Sequence, residues 1–270
     1  MELVLNIARI PRSSYYYHLK HLCEPQKHLK EREAIWMICV ENKGRYGYRR
    51  VTLELRRRGY RTNHKLVMKL MKQGQLTCLL RKKRYHSYRG EVGKIAPNLL
   101  QRDFKAEKPN LKWTTDVTEF KLMGQRLYLS PIMDLFNGEI ISYSLSRNPN
   151  FSQITAMLED AFQKIPDDSQ LILHSDQGWQ YQMRTYQKML KDKGIRQSMS
   201  RKGNCYDNSV MENFFGILKT EFYHNQKFSS TEHFSKELSE YMDYYNNRRI
   251  KVKLKGLSPV QFRTQSLIST

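Results

Sequence analysis

Residues 113–120 read Trp-Thr-Thr-Asp-Val-Thr-Glu-Phe. β-Branched and aromatic side chains crowd this stretch, which predicts a strand. Aspartate is depleted in strands, so Asp116 inside this one asks for a reason. Met123-Gly124-Gln125 predicts a turn, 126–135 a second strand, the Asn-Gly of Phe136-Asn137-Gly138 another tight turn, and 139–146 a third strand. The three make an antiparallel meander.

Working outward, a helix is expected from Asn150 or Ser152 to about 165, with Ile154, Met157, Leu158 and Phe162 facing inward. Leu171-Ile172-Leu173-His174-Ser175 is a short apolar run suited to a central strand. Residues 181–193 predict a helix stopped by Gly194, 195–198 a fifth strand, and 208–224 and 231–248 two more helices. This β-β-β-α-β-α-β-α order is that of a ribonuclease-H-like α/β fold, a five-stranded mixed sheet with flanking helices.

Three carboxylates stand out on that frame. Asp116 lies in the first strand, and Asp176 sits where the 171–175 strand gives way to Gln177-Gly178. Neighbouring strands would bring the two together. Glu212 lies on the helix after the fifth strand, with thirty-five residues between it and Asp176. Magnesium takes hard oxygen ligands, and two-metal phosphodiester transfer needs carboxylates to share a pair of ions. Each acid also has a bland reading. Asp116 could face solvent, Asp176 could favour its turn, and Ser209-Val210-Met211-Glu212 fits a capping box.

The helix carrying Glu212 adds its own signal. Met211, Phe215, Leu218 and Phe222 form an apolar stripe, with Phe214 and Ile217 beside it. Glu212, Gly216, Lys219 and Tyr223 share another face. Gly216 there predicts room for a DNA backbone to approach, with Lys219 meeting a phosphate; the alternative is a solvated lysine. His174, Ser175 and Asp176 are adjacent and so cannot converge as a hydrolase triad, though His174 could support Asp176 from behind. Asp207 and Asn208 are expected to shape the loop and cap before the helix, and Asp134 to be structural. Trp179 and Tyr181 could stack on bases or sit in the core.

The front of the chain differs in charge. Residues 1–110 hold 26 Lys and Arg against 9 Asp and Glu, and residues 111–270 hold 21 against 17. Such an excess points to a polyanion, nucleic acid before an anionic membrane. Around 28–42, Ile35, Ile38 and Cys39 recur at helical spacing. A second helix follows Tyr46-Gly47-Tyr48-Arg49-Arg50. Asn63 is a plausible N-cap for a third, carrying Leu66, Val67, Leu70 and Met71 and stopped by Gly74. Three short basic helices fit a helix-turn-helix-like DNA binder over 1–80, with Arg49 and Arg50 as contacts; a basic helical spacer is the alternative. Residues 81–110 read as a linker. Its run Arg81-Lys82-Lys83-Arg84, followed by Tyr85, His86 and Tyr88, suits phosphates and bases or a charged tether. The catalytic domain is expected over 111–270. His18, His21, Cys23 and His28 invite a zinc reading, but no second ligand pair follows at finger spacing. No Cys-x-x-Cys pair, signal peptide or spanning run is present, so a reducing, cytoplasmic protein without disulfides is expected, nucleoid-associated when bound.

The motifs together resemble the catalytic product (OrfB) of the insertion sequence three family of transposable elements, whose core is similar to that of retroviral integrases. The matching residues are Trp-Thr-Thr-Asp-Val-Thr around Asp116, His-Ser-Asp-Gln-Gly around Asp176 and Cys-Tyr-Asp-Asn-Ser-Val-Met-Glu-Asn-Phe-Phe around Glu212. Tyr46-Gly47-Tyr48-Arg49-Arg50, Tyr245-Asn246-Asn247-Arg248-Arg249 and Leu257-Ser258-Pro259 match as well. The resemblance covers almost the whole chain. It implies a transposase whose Asp116, Asp176 and Glu212 hold two Mg2+ ions, with Mn2+ able to substitute, and a basic residue at Lys219 against the transposon end. It implies cleavage at the element's end followed by strand transfer, first joining one end to the other in a circular intermediate. It also implies partners: DNA, further copies of the chain, and an upstream product (OrfA) that largely recognises the ends and is commonly joined by frameshifting. The Arg-Ser-Ser-Tyr-Tyr-Tyr segment begins at Arg12, with little before it, so weak end specificity is expected of the chain alone. A catalytically dead regulator and a nuclease on the same fold are the rival readings.

Overall fold

Helical periodicity in the basic front part is realised as four helices: α1 (Arg12–Leu22), α2 (Leu29–Glu41), α3 (Tyr48–Arg57) and α4 (His64–Gln73). The computed structural model describes residues 11–22, 28–78, 95–148, 151–167, 169–201 and 205–268, with Leu5 and Ile7. The chain divides into two units, Met1–Thr77 and Cys78–Thr270. In the first, Ile35, Ile38, Val51, Leu55 and Val67 are buried where α2, α3 and α4 meet. Asn63 caps α4 as expected, its side chain accepting from Lys65 N at 3.0 Å, and Gly74 ends it. Helices α3 and α4 with the turn between them form the helix-turn-helix-like pair.

In the second unit the residues after Leu111 build the sheet. The strands are β1 (Lys112–Thr115), β2 (Thr118–Leu122), β3 (Gln125–Asp134), β4 (Ile140–Ser146), β5 (Ile172–Ser175) and β6 (Arg196–Met199). The single strand expected over 113–120 is interrupted at Asp116 and Val117. Both halves nonetheless lie on one edge of β3 in one continuous register, with Thr115 opposite Ile132 and Thr118 opposite Leu129. β4 takes the other edge of β3, β5 pairs in parallel with β1, and β6 in parallel with β5. Six named strands thus make five lines of a mixed, ribonuclease-H-like sheet.

Each face is closed by helices with a different kind of core. On one side, α5 (Phe151–Phe162) and α6 (Arg184–Asp192) bury Ile154, Met157, Leu158 and Leu190 against Trp113, Ile132 and Leu173. Residues 179–182 form a separate 3-10 turn before α6, shortening the expected helix. A second core gathers on α7 (Ser209–Leu218) and α8 (Thr231–Asp243) and is aromatic. Phe234 packs 5.2 Å from both Phe120 and Phe222, and Phe214 lies 5.0 Å from Tyr245.

Both α7 and α8 end in a wide π-turn, Lys219–Tyr223 and Tyr244–Arg248, where the sequence predicted uninterrupted helix. Glu221 in the first turn receives Arg249, just past the second, through bonds of 2.8 and 2.7 Å, and both side chains are buried. Arg249 of the Tyr-Asn-Asn-Arg-Arg motif is therefore a structural residue.

The chain's last segment grips the β3–β4 turn. Asn246 bonds both the N–H and the carbonyl of Ile140 at 2.9 Å, as a neighbouring strand would. Lys251 Nζ reaches the Gly138 carbonyl at 3.0 Å. Gly138 has φ +70, and a Cβ there would stand 2.6 Å from that Nζ, so the predicted Asn-Gly turn needs its glycine. Ser258 and Gln261 exchange capping bonds at the start of α9 (Pro259–Ile268). From α9, Arg263 reaches Asp134, Glu139 and Asn110 at 3.0, 2.6 and 2.7 Å. Asp134 is structural, as expected; burial raises its carboxyl's proton affinity against the N–H groups of Phe136 and Asn110.

Part of the predicted linker is also structured. Leu99 N donates to Ser198 Oγ at 2.9 Å, and Arg102 reaches Asp207 at 2.9 Å, so residues 95–110 pack on the rest of the second unit instead of forming a tether.

Breaking the buried pair tests this arrangement. Arg249→Met leaves Glu221 buried without its partner and is expected to cost about 3–5 kcal/mol in denaturant unfolding, most of it recovered when Glu221→Leu is added. A single-variant loss under about 1 kcal/mol would contradict the pair's role.

Candidate active site

The parallel ladder sets the geometry of the acids. Lys112, Trp113 and Thr114 of β1 stand opposite Ile172, Leu173 and His174 of β5. Asp116 and Asp176 continue the same register just past the paired residues, on the same face as Thr114 and His174. Neighbouring strands are only about 4.8 Å apart, so two carboxylates are brought to one level at the strand ends.

Asp116 has both of its oxygens held and Asp176 one. Asp116, 5% exposed, accepts Val117 N on Oδ1 at 2.7 Å and Asn208 Nδ2 on Oδ2 at 3.0 Å. Asp176 Oδ1 accepts Gly178 N at 2.9 Å. A Cβ on Gly178 would lie 2.9 Å from that same oxygen, so only glycine lets the turn close on the carboxylate.

Glu212 enters from α7. Asn208, the residue before α7, takes the Thr114 hydroxyl at 3.2 Å while donating to Asp116. Its side chain thus docks the helix on β1 and does not cap it, a role the sequence reading missed. Glu212 follows by four residues on the same helix face. The helix boundary falls on Asn208, so Ser209 does not stand at the N-cap position that the capping-box reading required.

The electrostatics tie the group together. Burial first, then the charges of Asp176 and Glu212, push the Asp116 carboxyl well above the ordinary carboxylate range, against Val117 N–H and the charge of Lys219. Burial also raises Asp176. Lys219, at the end of α7, has its Nζ 5.5 Å from the Phe120 ring centroid. Burial lowers its proton affinity, against the pull of Glu119 and Asp116. Among the described residues no three His, Cys, Asp or Glu side chains are drawn close enough to enclose an ion as they stand. The acids are neighbours in charge but not yet a closed cage.

Several expectations are revised here. Gly216 is buried in the protein, so it serves helix packing and not the approach of a DNA backbone. His174 is fully engaged: Nδ1 accepts from Ser198 Oγ at 2.8 Å and Nε2 donates to the Asp207 carbonyl at 3.0 Å. Burial lowers its proton affinity, which keeps the ring neutral and structural. Arg201, then Arg102, hold the buried Asp207 carboxylate far below the usual carboxylate range and fix the loop before α7. Tyr181 is wholly buried, whereas Trp179 is 46% exposed.

The remaining predicted contacts lie elsewhere. Arg49 and Arg50 stand at the start of α3, their guanidinium groups 5.8 and 5.5 Å from the ring centroids of Tyr48 and Tyr46. Arg81, Lys82, Lys83 and Arg84 fall outside the described residues, as do Cys23 and the side chains of His18 and His21. Sequence reading passed over Lys65, Lys69 and Lys72, which share one exposed face of α4 by i, i+4, i+7 spacing. No acidic residue occurs from 55 to 90, and that was the signal available for them.

The raised affinity of Asp116 has a sign that can be measured. An unfolded aspartate ionises near about pH 3.9. Because the folded value is higher, the ionised form destabilises the fold progressively as pH rises above that point, and fully above the folded value. Asp116→Asn is expected to raise the melting temperature by about 2–6 °C at pH 8 without divalent metal, with the gap closing toward pH 4. A gap that does not change with pH would show that the carboxylate is not under this stress.

Comparison with known proteins agrees with the fold and the motifs. Models described as an integrase core domain match residues 106–205 and 212–267, and one described as an HTH-like domain matches residues 26–84. The transposase InsK for insertion sequence element IS150 of Escherichia coli (strain K12) is 54% identical over 266 residues, covering 98% of this chain and 94% of InsK. The transposase InsF for insertion sequence IS3A of the same strain is 33% identical over 277 residues, covering 99% and 95%. Among solved structures, a simian T-cell lymphotropic virus intasome in complex with PP2A regulatory subunit B56 gamma matches with a TM-score of 0.49 and 18% identity, over 81% of this chain and 70% of that one. The chain belongs to the IS3 family of insertion-sequence transposases, pairing an HTH-like DNA-binding domain with an integrase core, and its work is DNA transposition.

Proposed function

We propose that Asp116, Asp176 and Glu212 are the catalytic acids of a DDE polynucleotidyl transferase and together hold two Mg2+ ions, for which Mn2+ can substitute. The observation that carries this reading is the register placing Asp116 and Asp176 level at the ends of two parallel strands, with Asp116 also under the charge of Glu212. The donor set fits. It is all carboxylate oxygen, the kind hard divalent cations take, and its mutual repulsion is what a cation would relieve. The second oxygen of Asp176 has no hydrogen-bond donor among the described residues, which leaves it open to a ligand. Bound divalent ions supply activation of the attacking oxygen and stabilisation of the leaving one.

The chain's own residues supply the positioning. Asn208 and Val117 fix the orientation of Asp116, Gly178 fixes Asp176, and Asn208 seats the helix that brings in Glu212. Lys219, in the same electrostatic neighbourhood, is suited to a phosphate of the transposon end. In this reading water opens the end to a 3′-hydroxyl, which then attacks a second phosphodiester in line. The first unit grips DNA with Lys65, Lys69 and Lys72 of α4 and with Arg49 and Arg50, and Arg81–Arg84 add a basic run. We further propose that several copies assemble on DNA in the bacterial cytoplasm and nucleoid, and that an upstream OrfA product supplies most end recognition. No described helix is long and apolar enough to cross a membrane.

Glu212→Gln keeps size and hydrogen-bonding shape while removing a charge. It is expected to lower Mg2+-dependent cleavage and joining of end DNA by about two orders of magnitude or more, with DNA binding retained. Undiminished activity would remove Glu212 from the site, and hydrolysis without joining would favour a nuclease. Changing Lys65, Lys69 and Lys72 together to alanine is expected to weaken binding to end-bearing and scrambled duplexes alike. It should also reduce the steepness of the log-affinity against log-salt plot by about 2–3; an unchanged slope would exclude α4 from the phosphates.

A further inference from the structure

The chain has three tryptophans. Trp113 is fully buried, Trp36 lies in the first unit, and Trp179 stands three residues after Asp176 with 46% of its surface exposed. The turn that carries it is rigidly braced. Gly178 N is bonded to Asp176 Oδ1 at 2.9 Å, and Gln182 Nε2 donates to the Gln177 carbonyl at 2.6 Å. Gln177 Nε2 donates to the Ser200 carbonyl, and Gln197 Nε2 to the Tyr181 carbonyl, at 2.9 and 2.7 Å. Tyr181 and Gln182 of the same turn are buried. The indole is thus held at the rim by a fixed scaffold that begins at an acid of the site, and slack in the loop does not account for its exposure.

A second observation points the same way. The helix that follows, α6, presents Arg184, Lys188 and Lys191 on one exposed face at i, i+4, i+7 spacing. None of the three has an ion pair among the described residues, and no ring is paired with Trp179 there. An open aromatic platform continued by a line of unpaired cations is the combination that binds single-stranded nucleic acid: rings take the bases and cations take the phosphates. A base inside a duplex offers its face to a protein ring only after unstacking, and an unpaired base does so at least cost, so the favoured occupant is unpaired.

We propose that Trp179 stacks on an unpaired nucleobase beside the reacting phosphodiester, and that Arg184, Lys188 and Lys191 carry the backbone of the same strand away from the acids. This rests on the acid cluster being the reaction site.

The test uses the full chain. In a Trp36→Phe background, binding of a twenty-nucleotide oligo(dT) is expected to quench the emission of Trp179, and Trp36→Phe/Trp179→Phe is expected to lose that response. Trp179→Ala is expected to bind oligo(dT) about tenfold more weakly and a twenty-base-pair duplex within about twofold of the parent, with Trp179→Phe close to the parent on both. On substrates carrying the element's terminal repeat with Mg2+, Trp179→Ala is expected to cleave a fully paired end about tenfold more slowly, and to recover when the bases beside the cleavage point are mismatched. Parental oligo(dT) affinity in Trp179→Ala, or no quenching, would overturn the proposal. So would equal slowing on paired and mismatched ends, while leaving the acid cluster in place if the parent cleaves. A parent chain inert on both ends would overturn the catalytic reading itself, and the oligo(dT) measurements would still decide the role of Trp179.

Discussion

The parallel pairing of β1 with β5 is the constraint on which the catalytic unit depends. It sets two like charges at one level at the strand ends, an arrangement that opposes folding because neither carboxylate ionises freely there. The surroundings hold it all the same. Backbone N–H groups of Val117 and Gly178 and the amide of Asn208 each take a carboxylate oxygen, and the ladder itself cannot slip without moving every neighbouring side chain to the other face. Unfavourable local electrostatics kept in place by a well-determined frame suits the proposed binding of a cationic ligand and a polyanion.

The two faces of the sheet divide the labour. Aliphatic packing under α5 and α6 makes the supporting side, where Trp113, Leu158 and Leu173 are fully buried. The side that bears the acids is covered by aromatic α7 and α8, and both helices widen into π-turns that turn Glu221 toward Arg249. Such turns re-aim side chains without ending the helix and occur often at functional sites. Here one begins at Lys219, the residue whose charge reaches Asp116.

Much of this was legible in the chain alone, for identifiable reasons. Strand composition, the Asn-Gly turn, the Asn63 cap and the helical stripes of α5 and α7 are local signals, and each found its expected place. The spacing of Asp116, Asp176 and Glu212 pointed to three elements that the fold does bring together. What stayed hidden depends on contacts distant in sequence. Asn208 looked like a cap because nothing local reveals a bond to Asp116, ninety-two residues away. Gly216 looked exposed because its helix face also carries Glu212, yet neighbouring elements cover it. The π-turns add one residue to one turn, too little to disturb a periodicity read over two dozen. Residues 95–110 resembled a tether because their partners, Ser198 and Asp207, lie about a hundred positions on.

The grip of the final segment on the β3–β4 turn bears on how the molecule is made. Asn246 supplies hydrogen bonds that the first residue of β4 would otherwise lack, and Arg263 neutralises two carboxylates at that turn, one of them fully buried. A core formed without residues 246–263 would carry an unfinished sheet corner, with Ile140 short of two hydrogen bonds and Asp134 buried without its cation.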